Sequence, residues 1–296
     1  MIKSVKTCYT LCICILFISC NANNPIQPDV PDPTPEIIIL PIVVHIVHLG
    51  EPIGVGTNLS VEQIESQIRV LNEDFRRKEG TRGFNIDPDG GDAMIEFTLA
   101  TKNPDGNPTE GIVRIDVSEE DTIRFARFDY YASLSYWDPE SYINVWTEPY
   151  PTKLLGLALG FATGPETDLL GRNLFQKGEP EYREGILVNY AHFGESNIES
   201  EYNLGRTLTH EMGHYLGLLH PWGTGVCETN DFVEDTPAVD KAYNPTCGNT
   251  ALIENYMNYS KDRDMNVFTK GQIQRMHYVL KNSPYRNSLI HSPALN

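Results

Sequence analysis

Basic residues are scarce in this chain of 296 residues, which has 23 Lys and Arg against 40 Asp and Glu and a formal charge of −17. A surface with this balance repels polyanions. We therefore expect neither nucleic acid nor an anionic membrane surface as a direct partner. The acidic balance fits calcium binding or basic substrates, although a solvated acidic surface is the commoner explanation.

Long apolar runs are also lacking. The run from Leu11 to Ile18 is too short to span a bilayer as a helix, and it follows two lysines, as in an export signal. The sequence Leu-Phe-Ile-Ser-Cys at 16–20 resembles a bacterial lipobox. We therefore expect residues 1–20 to form a lipoprotein signal segment that ends at Cys20, the residue that carries the lipid. The alternative is ordinary cleavage near Ala22.

Proline is concentrated just after this signal. Residues 21–36 contain five prolines among Asn and Asp residues, a composition that cannot build a core and that predicts an extended tether. The remaining residues, 37–296, are expected to form one catalytic domain.

Cysteine is scarce in the part expected to fold, which holds only Cys227 and Cys247. An even pair in an exported chain favours one disulfide, closing a loop of about 20 residues. The alternative, a pair of zinc thiolates, lacks neighbouring partner cysteines.

Against these absences, one stretch is rich in histidine: residues 210–220 read His-Glu-Met-Gly-His-Tyr-Leu-Gly-Leu-Leu-His. On a helix, His210 and His214 lie on the same face, and a sharp turn at Gly217 would bring His220 to the same point. Three neutral nitrogen ligands with one open position are typical of a catalytic zinc site. Glu211 lies too far round the helix to be an equivalent ligand, and it is placed to act as general base on the attacking water.

This motif, followed by a methionine turn, resembles that of the metzincin zinc peptidases. Residues 255–260, Asn-Tyr-Met-Asn-Tyr-Ser, look like that turn, with Met257 beneath the zinc site; a methionine alone would indicate only core packing. Three flanking segments narrow the resemblance to the pappalysin family of secreted metallopeptidases: Gly205–Thr209, Asp231–Pro237 and Phe268–Met276.

The resemblance covers roughly residues 37–282 and implies an α+β fold. The expected domain is a two-lobed, metzincin-like zinc peptidase. Its N-terminal lobe would hold a twisted mixed sheet and the active-site helix, and its mostly irregular C-terminal lobe would end in a helix. The implied function is an exported zinc endopeptidase acting on proteins or peptides, with a lipid anchor as its contact with the membrane. The alternatives are a catalytically inactive binding module of the same fold, which retention of Glu211 disfavours, and an enzyme for a narrow non-protein amide.

Finer roles follow from the resemblance alone. Tyr259, two residues past Met257, corresponds to a tyrosine that approaches the metal or the oxyanion in some metzincins; a packed tyrosine is the alternative. The acidic loop after the motif is expected to bind calcium through Asp231, Asp235 and Thr236. Because its spacing is not that of an EF-hand, a solvated acidic loop is the alternative.

Specificity is predicted from the same comparison. Several pappalysin-like peptidases prefer a basic residue near the cleaved bond, so we expect Arg or Lys just after it. Asp240 is the predicted floor of that pocket, since the loop between Asp235 and Cys247 should wall the primed side and a buried carboxylate pairs well with a guanidinium. The alternative is an exposed Asp240, offset by Lys241, and an apolar pocket.

Hydrophobic patterning supplies the coarse secondary structure. A capping box at Ser60 opens the first helix, and another at Thr269 opens a C-terminal helix to about Lys281. His45 and His48 lie in the first strand and are interpreted as core or rim histidines. The strands are predicted at 37–47, 95–100, 111–117, 142–147, 154–162 and 185–190, with 156–160 at the sheet edge above the cleft and the active-site helix over 203–216.

Overall fold

A computed structural model of the protein describes residues 36–120, 128–150, 159–175, 184–227 and 230–295. The predicted signal peptide, Cys20 and the tether up to residue 35 lie outside the described residues. Within the described ranges, no helix combines the length and apolar character that a membrane span requires.

A six-stranded mixed sheet forms the centre of the fold. Its first strand is the longest and lies almost wholly buried, as a strand in the middle of a parallel sheet must. This strand pairs in parallel with the second and third strands along one side and with the fourth along the other. The strands are β1 (Ile38–His48), β2 (Ile95–Leu99), β3 (Ile112–Asp116), β4 (Ile143–Glu148), β5 (Gly160–Ala162) and β6 (Ile186–Asn189).

The edge of the sheet nearest the histidine motif is antiparallel. β6 pairs in parallel with β4, whereas β5 runs antiparallel to β6 and ends the strand order. The predicted edge segment was 156–160; of this, 159–160 is described, and Gly160 begins β5. The residues 151–158 lie outside the described ranges.

Five α-helices accompany the sheet in the described residues. Ser60 is the N-cap of the first, and its side chain accepts a hydrogen bond from the backbone N–H of Gln63. Thr269 is the N-cap of the fourth, with a complete capping box closed by Gln272, as predicted. The helices are α1 (Val61–Phe75), α2 (Phe128–Leu134), α3 (Arg206–Tyr215), α4 (Lys270–Asn282) and α5 (Arg286–Leu289).

The main core lies where α1 and α3 pack on one face of the sheet, with Phe75, Phe97 and Leu208 among its buried side chains. A smaller cluster around Tyr131 and Trp146 involves α2. The sequence pattern did not predict α2 or α5, because both are short, and the aromatic residues of α2 have modest helix propensity.

The structure confirms the interpretation of His45 as a core residue. It is fully buried, its Nε2 lies 3.0 Å from Asn144 Oδ1, and its ring stacks on Trp146. Burial lowers the pKa of His45 to about 4, so the ring is neutral.

The segment after α3 is irregular, as expected for the second lobe. Between Leu216 and Thr269, the described residues contain only one short helical turn, Asp262–Asp264, and isolated bridges. The mixed α+β architecture with an active-site helix and a C-terminal helix is therefore the one predicted.

Candidate active site

Helix α3 carries the first two histidines. It begins at Arg206 and not at Asn203, because Gly205 adopts a left-handed conformation with φ of 84°. His210 and His214 are one turn apart with ring centroids separated by 4.7 Å, so both rings face the same cleft.

The tautomers of these two rings are set by backbone carbonyls. His210 Nδ1 lies 2.7 Å from the Tyr256 carbonyl oxygen, and His214 Nδ1 lies 2.8 Å from that of Leu218. A carbonyl can only accept, so each Nδ1 carries the proton and each Nε2 presents its lone pair to the cleft.

Gly217 ends the helix and returns the chain toward the site. Its φ of 94° suits glycine, and a Cβ there would lie 2.6 Å from Val279 Cγ2 of α4. Arg275 fixes the turn from below, since its Nε donates to the Gly217 carbonyl over 2.6 Å. His220 consequently reaches the other two histidines, as the motif predicted.

The three rings fit a zinc ion. The Nε2 atoms of His210, His214 and His220 are 3.0–3.1 Å from one another. A tetrahedral site with Zn–N distances of about 2.0–2.1 Å would need roughly 3.3 Å between ligand nitrogens. Burial lowers the pKa of His210 to about 3 and that of His214 to about 4, and it lowers the pKa of His220 as well. All three imidazoles are thus in the neutral form that binds metal.

Glu211 lies beside the ligands on the cleft side of α3. It is almost completely buried, and burial raises its pKa to about 8. A metal cation beside it would oppose that shift. The edge strand closes over this carboxylate, because a Cβ on Gly160 would come within 2.7 Å of Glu211 Cγ. Only glycine at position 160 therefore lets β5 approach Glu211 so closely.

Met257 is fully buried under the site. A Cβ on Gly213 would lie 2.4 Å from its sulfur, so the helix and the methionine turn touch at a glycine. The turn is held by Asn255, whose Oδ1 accepts the Met257 N–H over 2.9 Å and whose amide pairs with that of Gln272. The same Gln272 that caps α4 therefore orients the methionine turn.

A cleft of about 770 Å³ opens above the histidines. Tyr259 lines it, with its ring centroid 4.8 Å from that of His220 and 5.7 Å from that of His210. Burial raises the pKa of the Tyr259 phenol, with Glu211 a further cause. The phenol consequently remains a hydrogen-bond donor near the ligands.

A buried ion pair stabilises the position of α3, and the sequence analysis did not predict it. Arg206 Nη2 lies 3.0 Å from Asp74 Oδ1 of α1, and both side chains are inaccessible to solvent. Thr209 donates to the other Asp74 oxygen over 2.8 Å. The feature of the sequence that could have indicated this ion pair is Asp74, a charged residue on the otherwise buried face of α1.

A second missed residue is Asp262. It is fully buried at the cleft wall, and its Oδ2 accepts the N–H groups of Leu204 and Arg206 at the start of α3. Its Oδ1 is buried and has no hydrogen-bond partner among the described residues. Burial raises the pKa of this carboxyl group. Asp262 thus leaves one buried oxygen without a partner at the cleft wall.

Asp240, the predicted pocket floor, lies elsewhere. It does not line the cleft, and both its oxygens accept hydrogen bonds from Thr246, one from the backbone N–H and one from the hydroxyl. These bonds lower the pKa of its solvent-facing carboxyl group. From the same loop it is Tyr243 that reaches the cleft. The expectation of a buried Asp240 carboxylate therefore finds no support in its surroundings.

The remaining predicted residues lie in the irregular lobe. Cys227 and Cys247 form the expected disulfide, with their Cα atoms 5.2 Å apart. Asp231 is buried and accepts a hydrogen bond from the Thr236 hydroxyl over 2.6 Å, whereas Asp235 Oδ2 accepts from the N–H of Gly271 in α4.

This geometry matches a known family. The profile of the family described as pregnancy-associated plasma protein-A, the pappalysin peptidases, matches residues 129–281 and so spans the sheet edge, the histidine motif and the methionine turn. The chain belongs to this family. The resemblance noted in the sequence is confirmed, and the protein is a metallopeptidase.

Similar proteins agree with the pappalysin assignment. The chain is 32% identical to extracellular metalloprotease 1 of Coccidioides posadasii, over 74% of this chain and 68% of that protein. It is 28% identical to an extracellular metalloprotease of Verticillium alfalfae, over 81% of this chain and 76% of the relative. Among solved structures it resembles mature mirolysin of Tannerella forsythia in complex with a cleaved peptide, with a TM-score of 0.68 and 33% identity over 87% and 96% of the two chains.

Proposed function

We propose that this pappalysin-family chain is a zinc-dependent endopeptidase that cleaves internal bonds of extended polypeptides. The convergence of His210, His214 and His220 beside the buried Glu211 carries the proposal. Zinc, when bound there, supplies a Lewis acid that polarises the scissile carbonyl and acidifies water.

Glu211 takes the proton of the attacking water and then delivers it to the leaving amine, the two halves of general acid–base catalysis. In the metal-free protein its burial moves the pKa toward neutrality, whereas a bound cation would draw it back toward the charged form that accepts the proton. Tyr259 lines the same cleft with a protonated phenol, so we assign it the donation of a hydrogen bond to the developing oxyanion.

Strand β5 supports the choice of an extended substrate. It comes last in the strand order of the described sheet, and Gly160–Ala162 lines the cleft beside the general base. A peptide adding to this edge would present its backbone to Glu211. The cleaved peptide bound to mature mirolysin is consistent with such a substrate.

We further propose a preference for Arg or Lys after the scissile bond, recognised by Asp262 and not by Asp240. Two buried carboxylates, Asp74 and Asp262, share one guanidinium, Arg206, which bonds directly to Asp74. In its charged form Asp262 would have no hydrogen-bond donor at Oδ1 among the described residues, and burying such a charge is costly. A basic side chain entering the cleft would relieve that cost.

The catalytic proposal is tested by metal removal and product mapping. We expect a chelator to abolish cleavage of a denatured protein and equimolar zinc to restore it, with mass spectrometry of the products showing cuts inside the chain. Activity that is indifferent to chelation would contradict the zinc mechanism. Release of only terminal residues would contradict the endopeptidase assignment.

We also propose that the acidic loop binds calcium through Asp231, Asp235 and Thr236. Asp231 Oδ2 and Asp235 Oδ1 are buried and have no hydrogen-bond partners among the described residues. Burial raises the pKa of Asp231 to about 6, a cost that a cation would remove.

For calcium, we expect EGTA to lower the melting temperature by several degrees and calcium to restore it, because a ligand that binds only the folded state stabilises it. Asp231→Asn should remove this response, whereas Asp240→Asn, which changes an exposed carboxylate, should keep it. A wild-type melting temperature that ignores both calcium and EGTA would disprove the site.

Export and anchoring complete the proposal. The names of the fungal relatives support an extracellular location, and the lipobox-like sequence supports acylation of Cys20. We expect the mature protein from its native host to begin at Cys20 and to carry several acyl chains, since one chain anchors only weakly. An intact mass without acyl groups would refute the anchor and leave the peptidase assignment untouched.

A further inference from the structure

The three histidines are not oriented in the same way. His210 and His214 each hold a backbone carbonyl through Nδ1. His220 has no such hydrogen bond to any of the described residues; its polar contacts there are the Nε2 atoms of the other two rings. Metal-binding histidines generally rely on an outer partner to fix the ring. His220 therefore lacks the carbonyl partner that orients each of the other two rings.

Trp222 provides a flat surface against that ring. The His220 and Trp222 rings are stacked, with centroids 4.5 Å apart and an interplanar angle of 12°. Tyr259 meets both rings edge-on, with each centroid distance 4.8 Å. Stacked and T-shaped aromatic pairs at these separations are attractive and sensitive to orientation. The plane of His220 is thereby defined by two aromatic neighbours.

Backbone hydrogen bonds fix the position of Trp222 relative to His220. The Gly223 N–H donates to the His220 carbonyl over 2.9 Å, and the Gly225 N–H donates to the Trp222 carbonyl over 2.7 Å. Two successive turns therefore follow the third ligand. They fold the chain back so that a residue two positions later covers the face of the imidazole.

We propose that Trp222 is a positioning residue for the third metal ligand, and that its indole face orients His220 in place of the carbonyls that orient His210 and His214. The proposal rests on the proposed zinc site, but it concerns the ring of His220 and not the peptidase reaction. Without the indole, the His220 side chain would be free to rotate, and its Nε2 would leave the triangle formed with the other two nitrogens.

The test is a series of Trp222 variants compared by zinc affinity and by the melting temperature of the zinc-free protein. Trp222→Phe keeps a stacking face, whereas Trp222→Leu keeps apolar bulk without one. If Trp222 acts like an outer-shell partner, Trp222→Leu should weaken zinc binding in chelator competition by about 10- to 100-fold, and Trp222→Phe by less than about threefold. Equal affinities of the Leu and Phe variants would overturn the proposal, because bulk alone would then suffice.

A second measurement reads the ring directly without zinc or substrate. Long-range ¹H–¹⁵N spectra of the zinc-free protein should show His210 and His214 as single Nδ1–H tautomers in every variant. The His220 signals should change to exchange-broadened or mixed-tautomer signals in Trp222→Leu but not in Trp222→Phe. Unchanged His220 signals in Trp222→Leu would refute the positioning role. An inactive wild type with these ring signals intact would count against the proposed function alone.

Discussion

Glu211→Gln is expected to lower peptidase turnover by at least about a hundredfold, the lower end of typical general acid–base contributions. The amide has the shape of the carboxylate but cannot accept a proton from water. Because Glu211 is buried against Gly160 of the edge strand, a variant of the same volume is needed to leave β5 in place. The measurement is kcat on an internally quenched peptide with the protein fully loaded with zinc.

The fold and the metal site should survive this substitution. Burial raises the pKa of Glu211, so replacing its carboxyl with a neutral amide removes a desolvation cost and should not lower the melting temperature. Zinc content should match that of the wild type, because none of the three ligands changes. Glu140→Gln, at an exposed position, is the matched control and should be fully active. Turnover of the Glu211 variant within a few-fold of wild type would exclude it as the base.

The zinc site was predictable because its geometry is local. His210 and His214 are one helical turn apart, and Gly217 marks the turn that returns His220, so eleven consecutive residues encode the three candidate ligands and the proposed base. The methionine turn needed the resemblance, since nothing in residues 255–260 alone indicates that Met257 lies under Gly213. Contact between those two residues depends on how the lobes of the site pack.

The place of Asp262 in the cleft wall could not be predicted, because it also depends on packing between distant segments. Asp240 lies between the histidine motif and the methionine turn, and Asp262 lies after that turn. The sequence does not show which of the two carboxylates is buried. Asp262 is buried because its Oδ2 binds the start of α3, a contact across more than fifty residues. The ion pair between Asp74 and Arg206 joins segments even further apart. Contacts between residues so far apart in the chain produce no periodic pattern in the sequence.

The strands and helices likewise divide into those that the local sequence predicts and those that it does not. The buried strand β1 and the capped helices α1 and α4 were predicted from apolar runs and capping boxes. Strand β5 was harder, because three residues carry little pattern and its Gly160 weakens strand propensity. That glycine is explained only by the approach of β5 to Glu211.

Asp262→Asn is expected to remove the preference for Arg or Lys after the scissile bond. Loss of one partner of a buried charge pair costs about 2–5 kcal/mol, so kcat/KM for a peptide with Arg at this position should fall at least about 30-fold. A matched peptide with Leu there should be cleaved about as well as by the wild type, because Glu211 and the metal ligands are unchanged. The measurement is the ratio of the two kcat/KM values.

Asp240→Asn is the control that separates the two candidate acidic residues. Its carboxylate is solvent-facing and bonded to Thr246, outside the cleft, so the Arg-to-Leu ratio should remain that of the wild type. The Asp262 variant should keep its melting temperature within a few degrees, since the Asn side-chain oxygen can still accept from Leu204 and Arg206.

An Arg preference that persists in Asp262→Asn would defeat the assignment of Asp262. Loss of the preference in Asp240→Asn would return the role to the residue first predicted. A wild type that itself prefers Leu or Phe would contradict the proposed basic preference, since the cleft wall would then present no free charge to the substrate.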